Sequence, residues 1–308
     1  MYPTHNKDKG IQGSNFPVFV MCGMKERSKF FEYFVGCVVI LDAIVWFFVI
    51  FSNPPTALEL YFLKVGQGDS SLAFLPRESG GAAKVLIDGG PLNGNLEGNL
   101  AKIFSTGDKY IDLVIISHPE IDHYGGLISV LKNYSVGAVL WNGEDRDDPN
   151  WKELNNIIAE KKIRKITLAR GDKIVYGTVE ADVLNSGDSF AGGNDSGLVI
   201  LLKDPVLKTL FSADVSADIE KILSISGNIQ ADILKVAHHG SKYSSSEEFL
   251  KAVAPKVSVI EVGKNSYGHP TQETLDRLKD IGTQIFRTDE NGILKADLVG
   301  DKLKLYTL

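Results

Sequence analysis

Cysteine is almost missing from this 308-residue chain: there are two, Cys22 and Cys37, both near the N-terminus. The rest of the chain therefore offers no thiolate to a metal and no disulfide, so its stability must come from packing. A basic excess is missing as well. The net charge is −6, and residues 55–230 hold 17 basic against 24 acidic residues. A nucleic-acid binder usually carries a basic face. None is visible here, although bound divalent cations would offset several of the carboxylates. Histidine is scarce, six in all, and unevenly placed. His5 lies in the polar N-terminal tail, and the other five fall in three short polar segments that each follow an apolar run.

Long apolar runs are reduced to one. Residues 34–51 read FVGCVVILDAIVWFFVIF, with Asp42 as the single charge. That length is near the lower limit for crossing a hydrocarbon core. Lys25, Arg27 and Lys29 precede the run, and Asn53-Pro54-Pro55 stops it. The positive-inside rule then gives a cytoplasmic segment 1–33, a transmembrane anchor 34–52 and an extracytoplasmic domain 55–308. The expectation is a single-pass membrane protein whose helix has the bilayer as partner. A cleaved signal peptide fits less well, because the run starts late and lacks a small-x-small site. A buried helix of a soluble protein is the alternative, and Asp42 favours it.

From Leu58 onward, short β-branched runs alternate with helical segments. Strands are expected at 58–65, 71–75, 84–88, 113–117, 138–141, 179–184, 198–203, 209–212, 233–237 and 257–262. Helices are expected at 96–105, 126–133, 150–160, 216–224, 246–253 and 271–281. Helices separate the later strands, which reads as α/β layers rather than an all-β domain.

The chemistry concentrates after three of these strands. Ser117-His118-Pro119-Glu120-Ile121-Asp122-His123-Tyr124-Gly125-Gly126 packs four metal-ligating side chains into six residues. Pro119 reads as a loop and not a helix. Alternate residues there can converge, His118 and Glu120 on one ion, Asp122 and His123 on a second. Imidazole plus carboxylate suits zinc, manganese or iron. Polar loops after strands often hold such residues as caps and turn formers; four ligand types at this spacing favour a metal. The second segment is His238-His239-Gly240-Ser241. Its glycine would let the backbone approach a ligand, and the Ser241 hydroxyl and amide could donate to an oxyanion. His238 could equally be a packed histidine bonded to backbone. The third, Val262–Pro270, carries His269 ahead of a helix. Asp214 ends an apolar strand, where a carboxylate is either a helix cap or a metal bridge.

Taken in order, VGQGDSS (65–71), LIDGG (86–90), SHPEIDHYGG (117–126), NDSGLVILL (194–202), LFSADVS (210–216), ADILKVAHHGSKYSSS (231–246) and VGKNSYGHP (262–270) resemble the metallo-β-lactamase superfamily. They are most similar to the hydrolase domain of the ComEC group of DNA-uptake competence proteins. The resemblance implies an αβ/βα four-layer sandwich binding two divalent metal ions, zinc or manganese, with no organic cofactor. It implies that His118 and Glu120 hold the first metal, that Asp122, His123 and His269 hold the second, and that Asp214 bridges. His239 would lie near the first metal or the scissile phosphate, and His238 would orient the leaving group. Asp122, His238, His239 and Ser241 form the implied catalytic set. Asp88 would support the metal loop, and Asp69 would either support the metal ligands from behind or be structural. Two departures stand out. Glu120 occupies the position of the superfamily's second histidine, usually aspartate in the ComEC group, and Asn194-Asp195-Ser196 stands where a further histidine is usual. The implied activity is phosphodiester hydrolysis on DNA outside the cell, in uptake or scavenging. A surface phosphodiesterase or phosphocholine esterase acting on wall or lipid headgroups is the second reading, and a non-catalytic binding module the third. Lys235, Lys242 and Lys264 are the basic residues beside the motifs that a nuclease would use.

Overall fold

A computed structural model of the chain describes residues 24–51, 57–77, 80–187, 192–299 and 302–308. The chain divides into two units, 1–53 and 54–308. In the first, a helix spans Met24–Phe51, starting ahead of the expected boundary at residue 34. Its described side chains, 29–46, are exposed almost throughout, with Gly36 half-buried. Among the described residues no helix is long and apolar enough to cross a membrane; Lys29, Glu32 and Asp42 interrupt the stretch. The expected helix is there, and its transmembrane character finds no support among those residues. Residues 1–23 of the expected cytoplasmic segment, and residue 52 of the anchor, lie outside the described residues.

In the second unit the chain lays down Glu59–Phe62 (β1), Ser71–Pro76 (β2), Ala82–Ile87 (β3), Tyr110–Ile116 (β4), Ser135–Trp141 (β5) and Arg164–Thr167 (β6). It then crosses to Lys173–Tyr176 (β7), Val179–Asn185 (β8), Val199–Lys203 (β9), Lys208–Phe211 (β10), Ile233–Lys235 (β11), Val257–Ile260 (β12) and Gln284–Arg287 (β13). It returns with Leu294–Val299 (β14) and Lys302–Thr307 (β15). The first sheet has the order β15-β14-β1-β2-β3-β4-β5-β6 and the second β13-β12-β11-β10-β9-β8-β7.

The side-chain period of two explains why two sheets stack with helices outside. In β1, Leu60 and Phe62 join a core between the sheets, alongside Ile200, Leu202 and Val259 from the other side. Tyr61 points the opposite way, into a second core with Leu100, Leu127 and Trp151 of the helices Leu96–Ile103, Leu127–Asn133 and Pro149–Glu160. On the far side, Leu201 and Leu234 pack against Ile219, Phe249 and Leu278 of the helices Ala217–Ser226, Glu247–Val253 and Gln272–Asp280. Three apolar cores between four layers give the αβ/βα sandwich. Central strands buried on both faces require near-continuous apolar runs, as in Ile233–Lys235 and Val257–Ile260, which are buried at every position. All six expected helices of this unit are present.

Strands β3 to β6 run parallel in one sheet, and β10 to β13 run parallel in the other. Ligands in such sheets bind beyond the carboxyl ends of the strands. The three motif segments and Asp214 sit at those ends: Ser117–Gly126 after β4, Asp214 after β10, His238-His239 after β11 and His269 after β12.

Candidate metal centre

The segment after β4 is not all loop. Glu120 is extended, and Ile121–Tyr124 then makes one helical turn, so Asp122 and His123 leave a helix while His118 leaves the strand end. Glycines let this turn pack backbone to backbone against its neighbours. A Cβ at Gly68 would lie 2.2 Å from the Asp122 carbonyl oxygen, and one at Gly126 would lie 2.2 Å from that of Gly89. The Asp69 amide donates to Asp122 O at 3.1 Å, and the Gly126 amide to Gly90 O at 2.9 Å.

Three imidazoles are fixed at Nδ1 and left open at Nε2. His123 Nδ1 lies 2.9 Å from Asp88 Oδ2, and Asp88 also accepts from the Ser117 amide at 2.8 Å and the Ser117 hydroxyl at 2.7 Å. The expected supporting role of Asp88 matches this geometry. His239 Nδ1 donates to the Glu261 carbonyl at 2.9 Å and is 3.0 Å from Asp69 Oδ1. His118 Nδ1 is 2.9 Å from the Ser117 hydroxyl. Among the described residues, the Nε2 atoms of His118, His123 and His239, Nδ1 of His269 and Oδ1 of Asp214 are buried with no hydrogen-bond partner. Buried polar groups are rarely left so. Asp214 Oδ2 lies 3.4 Å from His123 Nε2 and 3.5 Å from His239 Nε2, and Asp122 Oδ2 lies 3.4 Å from His239 Nε2. Four groups have their ligand atoms within 4.8 Å of one another: Asp69, Asp88 and His123, and Asp69, Asp214 and His239, lie on the supporting side, while the two clusters His118, His123 and Asp214, and Asp122, His123 and His239, gather the orphaned Nε2 atoms. Nitrogen and oxygen lone pairs converging with their far sides anchored are what a divalent ion requires. These residues fit the metal.

Backbone strain marks the same place. Asp88, Ala213, His238 and His239 all adopt positive φ without being glycine, a conformation costing on the order of 1–3 kcal/mol each that persists where function holds it. For the histidine pair, the left-handed turn sends His239 inward and leaves His238 with 30% of its side chain exposed. The packed, backbone-bonded histidine is thus His239. His238 Nε2 stands 3.9 Å from Asp214 Oδ2.

Other expected site residues lie further out. His269 is half-buried, with its ring 5.5 Å from that of His238, and belongs to neither cluster. Glu120 lines the cavity mouth and pairs with Arg146 Nη1, whose guanidinium also donates to Pro119 O at 3.1 Å. Ser241 is buried; its amide donates to His238 O at 2.9 Å and so is not free to face an oxyanion, and its hydroxyl accepts from the Tyr243 amide at 3.3 Å. The close approach at Gly240 is to Pro270, 2.6 Å from a built Cβ, rather than to a ligand. Lys235 is buried against Asp69 and does not flank the site, whereas Lys242 and Lys264 are exposed. Asn194 lines the cavity; Asp195 instead accepts from the Ser216 amide at 2.9 Å, and Ser196 is buried against Glu144 and Asn142. Arg146 and Glu261 went unremarked in the sequence. A glutamate directly after the mostly apolar strand β12 is a visible signal of a buried polar partner.

The cavity is open and measures about 430 Å³, with Asp122, Asp214, His238, His239 and His269 in its lining. Burial pushes His118 down to about 4. Burial would also lower His123, but Asp214 and Asp88 outweigh it and hold the ring well above its usual value. Burial would raise Asp122, yet the contacts with His239 and His123 bring it down to about 2. His123 in the metal-free protein is therefore protonated at neutral pH, and an incoming ion must displace that proton. Loading should release a proton, and affinity should climb as pH rises toward the elevated His123 value. Calorimetric titration in two buffers of different ionisation enthalpy reads the release directly. Identical heats in both buffers would show that the ring was already neutral.

Residues 65–263 match the family described as the Metallo-beta-lactamase superfamily. The chain is 30% identical over 255 residues to ComE operon protein 3 of Bacillus subtilis, covering 77% of this chain and 32% of that protein. It is 26% identical to Competence protein ComA of Neisseria gonorrhoeae, covering 70% of this chain and 29% of the relative. The chain thus spans about a third of the length of these curated relatives. Among solved structures, the metallo-beta-lactamase fold protein YhfI of Bacillus subtilis aligns with TM-score 0.55 at 10% identity, over 78% of this chain and all of that one. The metallo hydrolase Igni18 of Ignicoccus hospitalis aligns at 0.51 and 13% identity, over 78% of this chain and all of that one.

Proposed function

The chain belongs to the metallo-beta-lactamase superfamily, and from that membership we propose that it is a metal-dependent phosphodiesterase acting on DNA. The observation that carries the reading is the set of three buried imidazoles with orphaned Nε2 atoms around Asp214. Its relatives named as competence proteins favour a nucleic-acid substrate, and exposed Lys242 and Lys264 beside the motifs suit a phosphate backbone.

His118, His123, His239, Asp122 and Asp214 would hold the ions, and Glu120 could join only by leaving Arg146. Bound divalent ions would acidify water and offset the charge of the phosphate. Asp88 and the Glu261 carbonyl would hold the Nδ1 protons of His123 and His239, so that once the ion displaces the second proton of His123 each ring turns an unprotonated Nε2 toward the centre. His238, lowered by burial and lining the cavity beside Asp214, is neutral near pH 7 and can pass a proton at its Nε2.

The proposal includes an extracytoplasmic position with the Met24–Phe51 helix as tether. Support comes from the apolar residues exposed on all sides of it, which call for burial. Carbonate extraction of the full chain tests this; release into the supernatant would remove the tether from the reading.

The test of activity uses the purified full chain, stripped and reloaded with manganese or zinc, on labelled single- and double-stranded DNA, with Asp122→Ala beside it. DNA cleavage that disappears in the variant is the expected result. Turnover of bis-p-nitrophenyl phosphate without DNA cleavage would shift the reading to a headgroup or wall phosphodiesterase. Bound metal with neither activity would leave only a binding module.

A further inference from the structure

On the rim of the metal cavity stands an aromatic ring that the fold leaves without a partner on its outer side. Tyr267 lines the cavity and yet is 74% exposed. Among the described residues its hydroxyl makes no hydrogen bond, so neither packing nor polarity explains a large ring at this position. It is also held still. Asn265 Oδ1 accepts from the amides of Tyr267 and His269, both at 3.0 Å. The Asn265 side-chain amide donates to the carbonyls of Gly263 and His269, both at 2.8 Å. An exposed aromatic on a loop braced at four points loses little freedom when something lies on it.

The ring also heads a line into the centre. Its centroid is 5.8 Å from that of His269 at 30°, His269 is 5.5 Å from His238, and His238 Nε2 is 3.9 Å from Asp214. A flat group resting on Tyr267 would thus share one cavity with His238 and Asp214.

We propose that Tyr267 is a stacking platform for a nucleobase next to the phosphodiester being cut, selecting single-stranded nucleic acid. The inference rests on the phosphodiesterase reading and specifies its substrate. Every base offers a π-face to a tyrosine, and in a single strand that face is free, whereas in a duplex it is covered by its neighbours. A choline headgroup fits less well, because cation recognition of that kind uses a cage of several aromatics. Apart from imidazoles, Tyr267 is the one aromatic among the described lining residues.

The experiment compares the metal-loaded full chain, Tyr267→Phe and Tyr267→Ala on an oligothymidylate and on an abasic deoxyribose-phosphate oligomer of equal length. The wild type should prefer the base-bearing strand by about 5- to 150-fold in kcat/KM. Tyr267→Phe should keep that preference, and Tyr267→Ala should lose it, with the loss in KM rather than kcat. Because the side chain is exposed, neither variant should disturb folding. A wild type that cleaves both oligomers equally well, or a Tyr267→Ala protein that keeps the preference, would overturn the stacking role alone. A wild type that cleaves neither oligomer would overturn the reading that the phosphodiesterase acts on single-stranded DNA, and the platform with it.

Discussion

Replacing Asp214 with alanine is expected to reduce turnover of bis-p-nitrophenyl phosphate by roughly 100- to 1,000-fold and to lower the bound metal. The expectation follows from where its carboxylate stands. Among the described residues it is the carboxylate within 3.4–3.9 Å of His123, His239 and His238 together, and its Oδ1 is buried with no hydrogen bond, 3.9 Å from Lys235 Nζ. Losing a ligand that faces both clusters removes several kcal/mol of the electrostatic support an ion gives a reacting phosphate, and each 1.4 kcal/mol is tenfold in rate. A second consequence separates this role from general misfolding. Asp214 is the chief group holding His123 protonated in the metal-free protein, so the proton released on loading should shrink in the variant. Metal content by mass spectrometry, together with buffer-dependent calorimetry, reads both effects. An Asp214→Ala protein with full metal content and an undiminished rate would remove Asp214 from the centre.

How much of this was legible beforehand depended on what each residue faces. Strands β11 and β12 announce themselves because both faces are buried, leaving mostly apolar residues broken only by Lys235 and Ser258. The edge and near-edge strands Arg164–Thr167, Lys173–Tyr176, Gln284–Arg287 and Lys302–Thr307 did not, because charged residues along them blur the apolar pattern. The metal loop could be read for its ligand types, since four in six residues is a local property. Which histidine completes the inner cluster is not local. The resemblance implies His269, whose ring stands 5.5 Å from that of His238 with Nδ1 buried and without a hydrogen-bond partner among the described residues, while the left-handed turn at 238–239 also brings His239 into that cluster. Glu120 illustrates the same limit: its partner Arg146 is 26 residues away and belongs to a loop with no metal signature of its own.

Lys235 provides the second large effect, one on stability. Read from the chain, it was a lysine beside a motif and a contact for DNA; in the fold it is buried, with its ammonium against Asp69 Oδ2 and 3.2 Å from the Ala213 carbonyl. Asp69 in turn lies 3.0 Å from His239 Nδ1, so the lysine balances a carboxylate beneath the metal cluster. Removing one partner of a buried pair leaves the other charged and unsolvated, at a cost of about 3–5 kcal/mol. For a domain of this size, Lys235→Met should therefore lower the melting temperature by roughly 6–20 °C. Lys235→Met combined with Asp69→Asn should recover part of that loss, because the stranded charge is gone. A phosphate contact behaves differently. Its loss would weaken DNA binding and flatten the salt dependence while leaving the melting temperature in place, which is the result expected of Lys242→Ala and Lys264→Ala. A Lys235→Met protein that melts like the wild type but shows a reduced salt slope would return Lys235 to the substrate and overturn the buried-pair assignment.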